Sequence, residues 1–101
     1  MAGYIIAQVE VYDVDEYAKY LAGFMDVFEP FDGRILAGTD DVTILEGKWP
    51  QVLTVVMEFP SKDRAKEWYE SAKYQKLAQH RWRSAKTSMI LVDGYSGQSH
   101  S

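Results

Sequence analysis

LEGKWPQVLTVVMEFPSKDRAKEWYESAKY, residues 45–74, passes from a polar turn through a buried strand into a helix. Gly47-Lys48-Trp49-Pro50-Gln51 is the turn, because glycine and proline both interrupt regular structure. Val52 to Phe59 is apolar on both sides: Leu53, Val55, Met57 and Phe59 share one face, Val52 and Val56 share the other with Thr54 and Glu58. Such a run belongs at the centre of a sheet. Pro60 stops it. The Ser61 hydroxyl can then accept from a first-turn amide, and Asp63 suits the positive end of a helix dipole, so a helix begins here. Ala65, Trp68, Tyr69 and Ala72 form its inner face. Ser71 can cap a second, shorter helical piece carrying Tyr74, Leu77, Ala78 and Arg81, which predicts a bend near Ser71.

Working outward, Tyr4 to Val11 alternates, with Ile5, Ala7, Val9 and Val11 on one face and Tyr4, Ile6, Gln8 and Glu10 on the other. That is a strand with one dry and one mixed face. Asp13 offers an N-cap carboxylate, and Glu16 three residues on would complete a capping box. Tyr17, Tyr20, Leu21, Phe24 and Phe28 then recur at helical spacing, and Pro30 ends that helix. Gly33 marks the turn out. Arg34 to Ala37 begins a strand that Gly38-Thr39-Asp40-Asp41 interrupts, and Val42 to Glu46 resumes the alternation as a bent continuation or a second short strand. Thr87 to Asp93 supplies the last strand, and the residues after Gly94 form a small, polar tail expected to be mobile.

The order is β-α-β-β-α-β, an α+β chain whose two main helices can cover one face of a four-stranded antiparallel sheet in the ferredoxin-like arrangement. The other face would carry Tyr4, Ile6, Val52, Val56, Ile90 and Val92 among Gln8, Thr54 and Glu58. A fully buried Val or Ile is worth roughly 1.5–3 kcal/mol, against a net stability of ~5–15 kcal/mol for such a domain. A second sheet is the natural cover, so the sequence predicts a two-fold homodimer with its sheets face to face.

With 101 residues and 47% hydrophobic content, the chain can fill one core and not two, so 1–101 is read as a single domain with 95–101 as its flexible tail. The net charge of -4 works against nucleic acid or an anionic membrane as partner. The absence of cysteine removes disulfides, thiolate chemistry and Cys-based metal sites. No stretch reaches the ~18 apolar residues that span a bilayer, and Met1-Ala2-Gly3-Tyr4 has no leader character, so a cytoplasmic location is expected. An RNA-binding sheet of this topology needs aromatic residues within its central strands, where LTVVMEF has only its terminal Phe59. No phosphate-cradling glycine loop occurs either.

Glu46-Gly47 followed by Trp49, then Glu58-Phe59-Pro60-Ser61, Ala65, Trp68-Tyr69, Ser71, Tyr74 and Arg81 resemble the pattern of the DUF1330 family, a domain of unknown function. Asp13 to Tyr20 and Gly33-Arg34 also fit, so the resemblance runs over about residues 4 to 94. Val14 stands where a proline often follows the first cap, and Asp32-Gly33 replaces a more common glycine pair. The resemblance implies a dimeric α+β barrel and leaves the biochemical function open.

The candidate catalytic residues are Glu46, a carboxylate beside Trp49 that an aromatic pocket would push toward useful acid-base range, and His80, a base near neutral pH. Their bland alternatives are a surface carboxylate bonded to turn amides and a solvated histidine at a helix end. Trp49, Trp68, Tyr69, Tyr74 and Arg81 are the candidate ligand-binding residues, with plain core packing as the alternative for Trp68 and Tyr69. Arg81 follows Leu77 by four residues, so its stem lies on the inner stripe and its guanidinium must find an anion: a ligand carboxylate, or an internal pair with Glu46 or Asp93. No cofactor and no metal site is expected. Two functions remain, a homodimeric small-molecule-binding domain with its pocket between helices and sheet, or a cofactor-independent enzyme of monooxygenase, isomerase or lyase type acting on a small aromatic or carbonyl substrate.

Overall fold

The computed structural model describes residues 1–95; residues 96–101, where most of the expected tail falls, lie outside the described part. The elements in chain order are β1 (Gly3–Val11), α1 (Val14–Phe28), a 3-10 turn (Glu29–Phe31), β2 (Arg34–Thr39), β3 (Leu53–Phe59), α2 (Lys62–Glu70), α3 (Ala72–Trp82) and β4 (Ala85–Asp93). The strands form one antiparallel sheet in the order β2-β3-β1-β4. This is a ferredoxin-like α+β fold. None of the described helices is long and apolar enough to cross a membrane.

Register explains which face is buried. Ile5 stands between Met57 and Leu91, Ala7 between Val55 and Met89, and Val9 between Leu53 and Thr87, so one face carries the apolar set of all three strands. The helices cover that face, and Phe24, Phe28, Phe59, Trp68 and Tyr74 meet above it as a cluster of rings 4.1–6.0 Å apart. On the other face Ile6 lies opposite both Val56 and Ile90, and Tyr4 opposite Glu58 and Val92, as the alternation of β1 and β3 predicts.

Local signals set most boundaries. The Asp13 carboxylate accepts from the Glu16 amide, and the Ser61 hydroxyl from the Arg64 amide. Ser71 does two jobs at the expected bend: its hydroxyl donates to the Trp68 carbonyl at 2.7 Å and accepts from the Tyr74 amide at 3.2 Å, closing α2 and opening α3.

Three expectations are corrected. Val42 to Glu46 forms no strand; β2 has a register shift between Ile35 and Ala37, and residues 40–52 have no strand partner, so alternation there finds no ladder. The capping box is only half made, because the Asp13 amide donates to the Ser84 carbonyl while the Glu16 carboxylate turns toward α3. Gly33 marks the turn out, next to Asp32, the left-handed residue at φ 63°, and it is required by contact: a Cβ there would run into the ring of the fully buried Phe28. Ala72, placed on the inner face by spacing from Trp68, is exposed because the bend at Ser71 resets the helical phase.

Candidate functional site

Strand β2 is exposed along its whole length, so α1 covers the middle of the sheet and leaves a wedge beside its edge. The wedge is a cavity of about 290 Å³. Its floor is Ala7, Val9, Leu53, Val55, Met57 and Met89; Tyr17, Tyr20, Leu21 and Phe24 of α1 form the roof, Ile35 and Gly38 of β2 the rim. Among the described residues the one charged side chain on its wall is Arg81 of α3.

Arg81 is only 4% exposed. Its Nη2 donates to the Tyr74 hydroxyl at 3.4 Å, and the Tyr74 and Tyr20 oxygens are 2.8 Å apart. Its guanidinium carbon lies 5.6 Å from the centre of the Tyr20 ring, within cation–π range. Its Nε has no partner among the described residues. Burial works against the Arg81 charge, but the Tyr74 and Tyr20 oxygens favour it, and the net direction is upward. Burial, then Tyr74, pushes the Tyr20 hydroxyl up, and burial pushes up Tyr17. Tyr20 and Tyr17 therefore stay protonated near neutral pH and offer Arg81 no counter-charge.

The internal pair expected for Arg81 is not formed. Asp93 lies at the far end of β4, 3.9 Å from Lys62, and Glu46 is on the exposed segment between β2 and β3. Trp49 is on that segment too, its indole nitrogen 3.5 Å from Thr54 Oγ1, on the sheet face opposite the helices. Of the seven candidate residues the fold brings together Trp68, Tyr69, Tyr74 and Arg81, and it places Glu46 and Trp49 elsewhere. Trp68 and Tyr74 are fully buried behind the wall of the wedge. Tyr69 is half-buried and lines a neighbouring cavity with Arg81.

His80 is not simply solvated. Its Nδ1 lies 2.6 Å from Glu16 Oε2, across 64 residues of sequence, and Arg83 Nη2 reaches the same oxygen at 3.2 Å. A carboxylate only accepts, so the His80 Nδ1 carries the proton facing it. The His80 contact, followed by Arg83 and Lys19, outweighs burial and holds the Glu16 carboxyl down at about 2, from an ordinary 4.5. This pairing ties the start of α1 to the end of α3. A depressed carboxylate contributes its full stability above its ordinary value and loses it as pH falls through the folded one. Glu16→Gln is therefore expected to lower the urea midpoint at pH 6, with the gap from wild type narrowing between pH 4.5 and about 2. A gap unchanged down to pH 2 would refute the pairing.

Sequence reasoning read Tyr17 and Tyr20 as core stripe and missed Thr87 and Met89 at the site. The available signal was polarity: tyrosine hydroxyls on an inner stripe, and a threonine at an inward position of β4, both need partners. Among the described residues no group of three His, Cys, Asp or Glu side chains is placed to hold a metal ion.

A ferredoxin-like sheet with a wedge between helix and strand defines the class of this protein. The chain belongs to the family described as Domain of unknown function (DUF1330), whose profile matches residues 2–95. Among solved structures it is similar to a protein of unknown function from Rhodopseudomonas palustris, with 19% identity, TM-score 0.75, and 94% of this chain and 83% of that one covered. It also resembles a dimeric ferredoxin-like protein of unknown function from Jannaschia, at 10% identity, TM-score 0.69 and 93% and 100% coverage. A third is SnoaB, a cofactor-independent oxygenase from Streptomyces nogalater, at 11% identity, TM-score 0.64 and 98% coverage of both chains. These likenesses are of fold. No curated protein matches the chain.

Proposed function

We propose that this chain is a small-molecule-binding domain that works as a homodimer and holds an apolar ligand in the wedge between α1 and the sheet. The observation that carries the reading is the wedge itself: about 290 Å³ lined by aliphatic and aromatic side chains around one buried cation. Binding sites for small molecules combine an apolar lining with few polar groups in this way. The apolar row on the open face and the dimeric state of the Jannaschia protein support the homodimer.

The second reading, a cofactor-independent enzyme on a small aromatic or carbonyl substrate, draws on the fold shared with the Streptomyces nogalater oxygenase. The hydrogen-bonded set Tyr20, Tyr74 and Arg81 would be its polar machinery. Fold likeness alone is a weak warrant for chemistry. Among the described residues no carboxylate or imidazole lines the wedge, and burial raises the Tyr20 hydroxyl away from use as a base, so binding is the better supported of the two.

The test is calorimetric titration with 2-naphthamide, a neutral bicyclic probe. Saturable binding is expected, together with at least a tenfold loss in Leu53→Trp, where the larger side chain fills the floor of the wedge. No binding, or binding indifferent to Leu53→Trp, would count against the wedge as the site.

A further inference from the structure

A second cavity, about 340 Å³, adjoins the wedge between α3 and β4 and is lined by Tyr69, Arg81, Trp82, Ala85, Thr87 and Met89. Arg81 and Met89 line both, so the two meet at these side chains. Three buried side-chain atoms lack a hydrogen-bond partner among the described residues: Trp68 Nε1, Arg81 Nε and Thr87 Oγ1. Two of the three belong to residues lining this second cavity. A buried donor left unpaired costs its desolvation, and a charged one costs more. Sequence position offers no structural reason for Thr87, which takes an inward place on β4 opposite Val9, between Ala85 and Met89.

We infer that this second cavity receives the anionic head of the ligand whose apolar body fills the wedge, and that the ligand class is a monocarboxylate on a small aromatic or alicyclic body. The inference rests on the reading of the wedge given above. Arg81 has only donors, and Nε, buried and without a partner among the described residues, is one that a ligand acceptor would satisfy. A threonine hydroxyl donates as well as accepts. A carboxylate can take both bonds, one oxygen from each donor, and it supplies the counter-charge that no side chain gives Arg81. Among the described residues Arg81 is the sole cation lining either cavity, which matches one negative charge and not the two of a phosphate monoester. The acid must also be short between head and body, since the two cavities meet at Arg81 and Met89.

The experiment compares 2-naphthoate with 2-naphthamide by calorimetry on wild type, Thr87→Val and Arg81→Met. Thr87→Val keeps the shape of the side chain and removes only the hydroxyl, so it tests the contact without emptying the core. The naphthoate is expected to bind wild type at least tenfold more tightly than the amide. Thr87→Val should lose most of that advantage, and Arg81→Met all of it. Equal affinity of the two probes, or a naphthoate advantage untouched by Thr87→Val, would overturn the inference while leaving the wedge as a binding site. Failure of both probes to bind wild type would overturn the wedge reading and the inference with it.

Discussion

Trp68→Ala should lower the unfolding free energy by about 3–5 kcal/mol, the range for removing a large aromatic side chain from a packed core. Trp68 is 0% exposed, and its ring lies 4.1 Å from Tyr74, 5.3 Å from Phe59, 5.6 Å from Phe28 and 6.0 Å from Phe24. These four residues come from α3, β3 and α1, so the indole is where the helical layer and the sheet meet. Against a net stability of ~5–15 kcal/mol, the loss would bring the domain close to unfolding. Trp68→Phe is the informative companion. The indole nitrogen has no partner among the described residues, so the wild type carries the cost of an unpaired buried N–H that phenylalanine lacks. Trp68→Phe should cost less than half of what Trp68→Ala costs, read by urea unfolding with far-ultraviolet circular dichroism. A loss under about 1 kcal/mol in Trp68→Ala would mean that the cluster repacks around the gap.

Trp68 also shows what was legible in the sequence. Its place in the core follows from helical spacing with Ala65 and from the strand that precedes it, and periodicity in the same way gave β1, α1 and the two faces of the sheet. What periodicity cannot supply is the partner of a polar group, because that depends on elements far apart in the chain. Glu16 read as a capping residue from its neighbour Asp13, yet its carboxylate is taken by His80 and Arg83 at the end of α3. Arg81 read as a charge in need of an anion, from a ligand or from an internal pair, and the fold gives it a tyrosine hydroxyl and an aromatic face. Glu46 and Trp49 read as site residues because they flank a glycine turn, but residues 40–52 join no ladder and leave them outside the wedge. The wedge has no sequence signature of its own. It arises because α1 packs against α3, through Tyr20 on Tyr74, and so cannot also cover β2.

Ile90→Glu should convert the proposed dimer to a monomer at micromolar concentration without unfolding it. Across the open face, Ala37 pairs with Val56, Val56 with Ile6 and Ile6 with Ile90, an apolar row that runs the width of the sheet. Beside it runs a polar row in which the Glu58 carboxylate accepts from the Tyr4 hydroxyl at 2.8 Å and from Arg34 Nε at 3.0 Å. Arg34, then Tyr4, holds the Glu58 carboxyl below its usual range, so this row meets a partner already paired within itself. Strands of nine, six, seven and nine residues at ~3.3 Å each and ~4.8 Å apart present roughly 500 Å² before side-chain relief. That is more than half of the ~800 Å² per partner of a standard interface. Stacking two copies of the face by a two-fold axis sets the apolar rows across each other at the angle sheet twist favours. Ile90 is 57% exposed in the single chain, so a glutamate there is solvated in the monomer and must shed its water in the dimer. Light scattering on a sizing column should give twice the 11.6 kDa chain mass for wild type and for Val14→Glu, an exposed control on α1, and the single mass for Ile90→Glu. Ile90→Glu that remains dimeric would place the interface on another surface, and a monomeric wild type would mean that the open face is stable in water, its one apolar row too narrow to drive association.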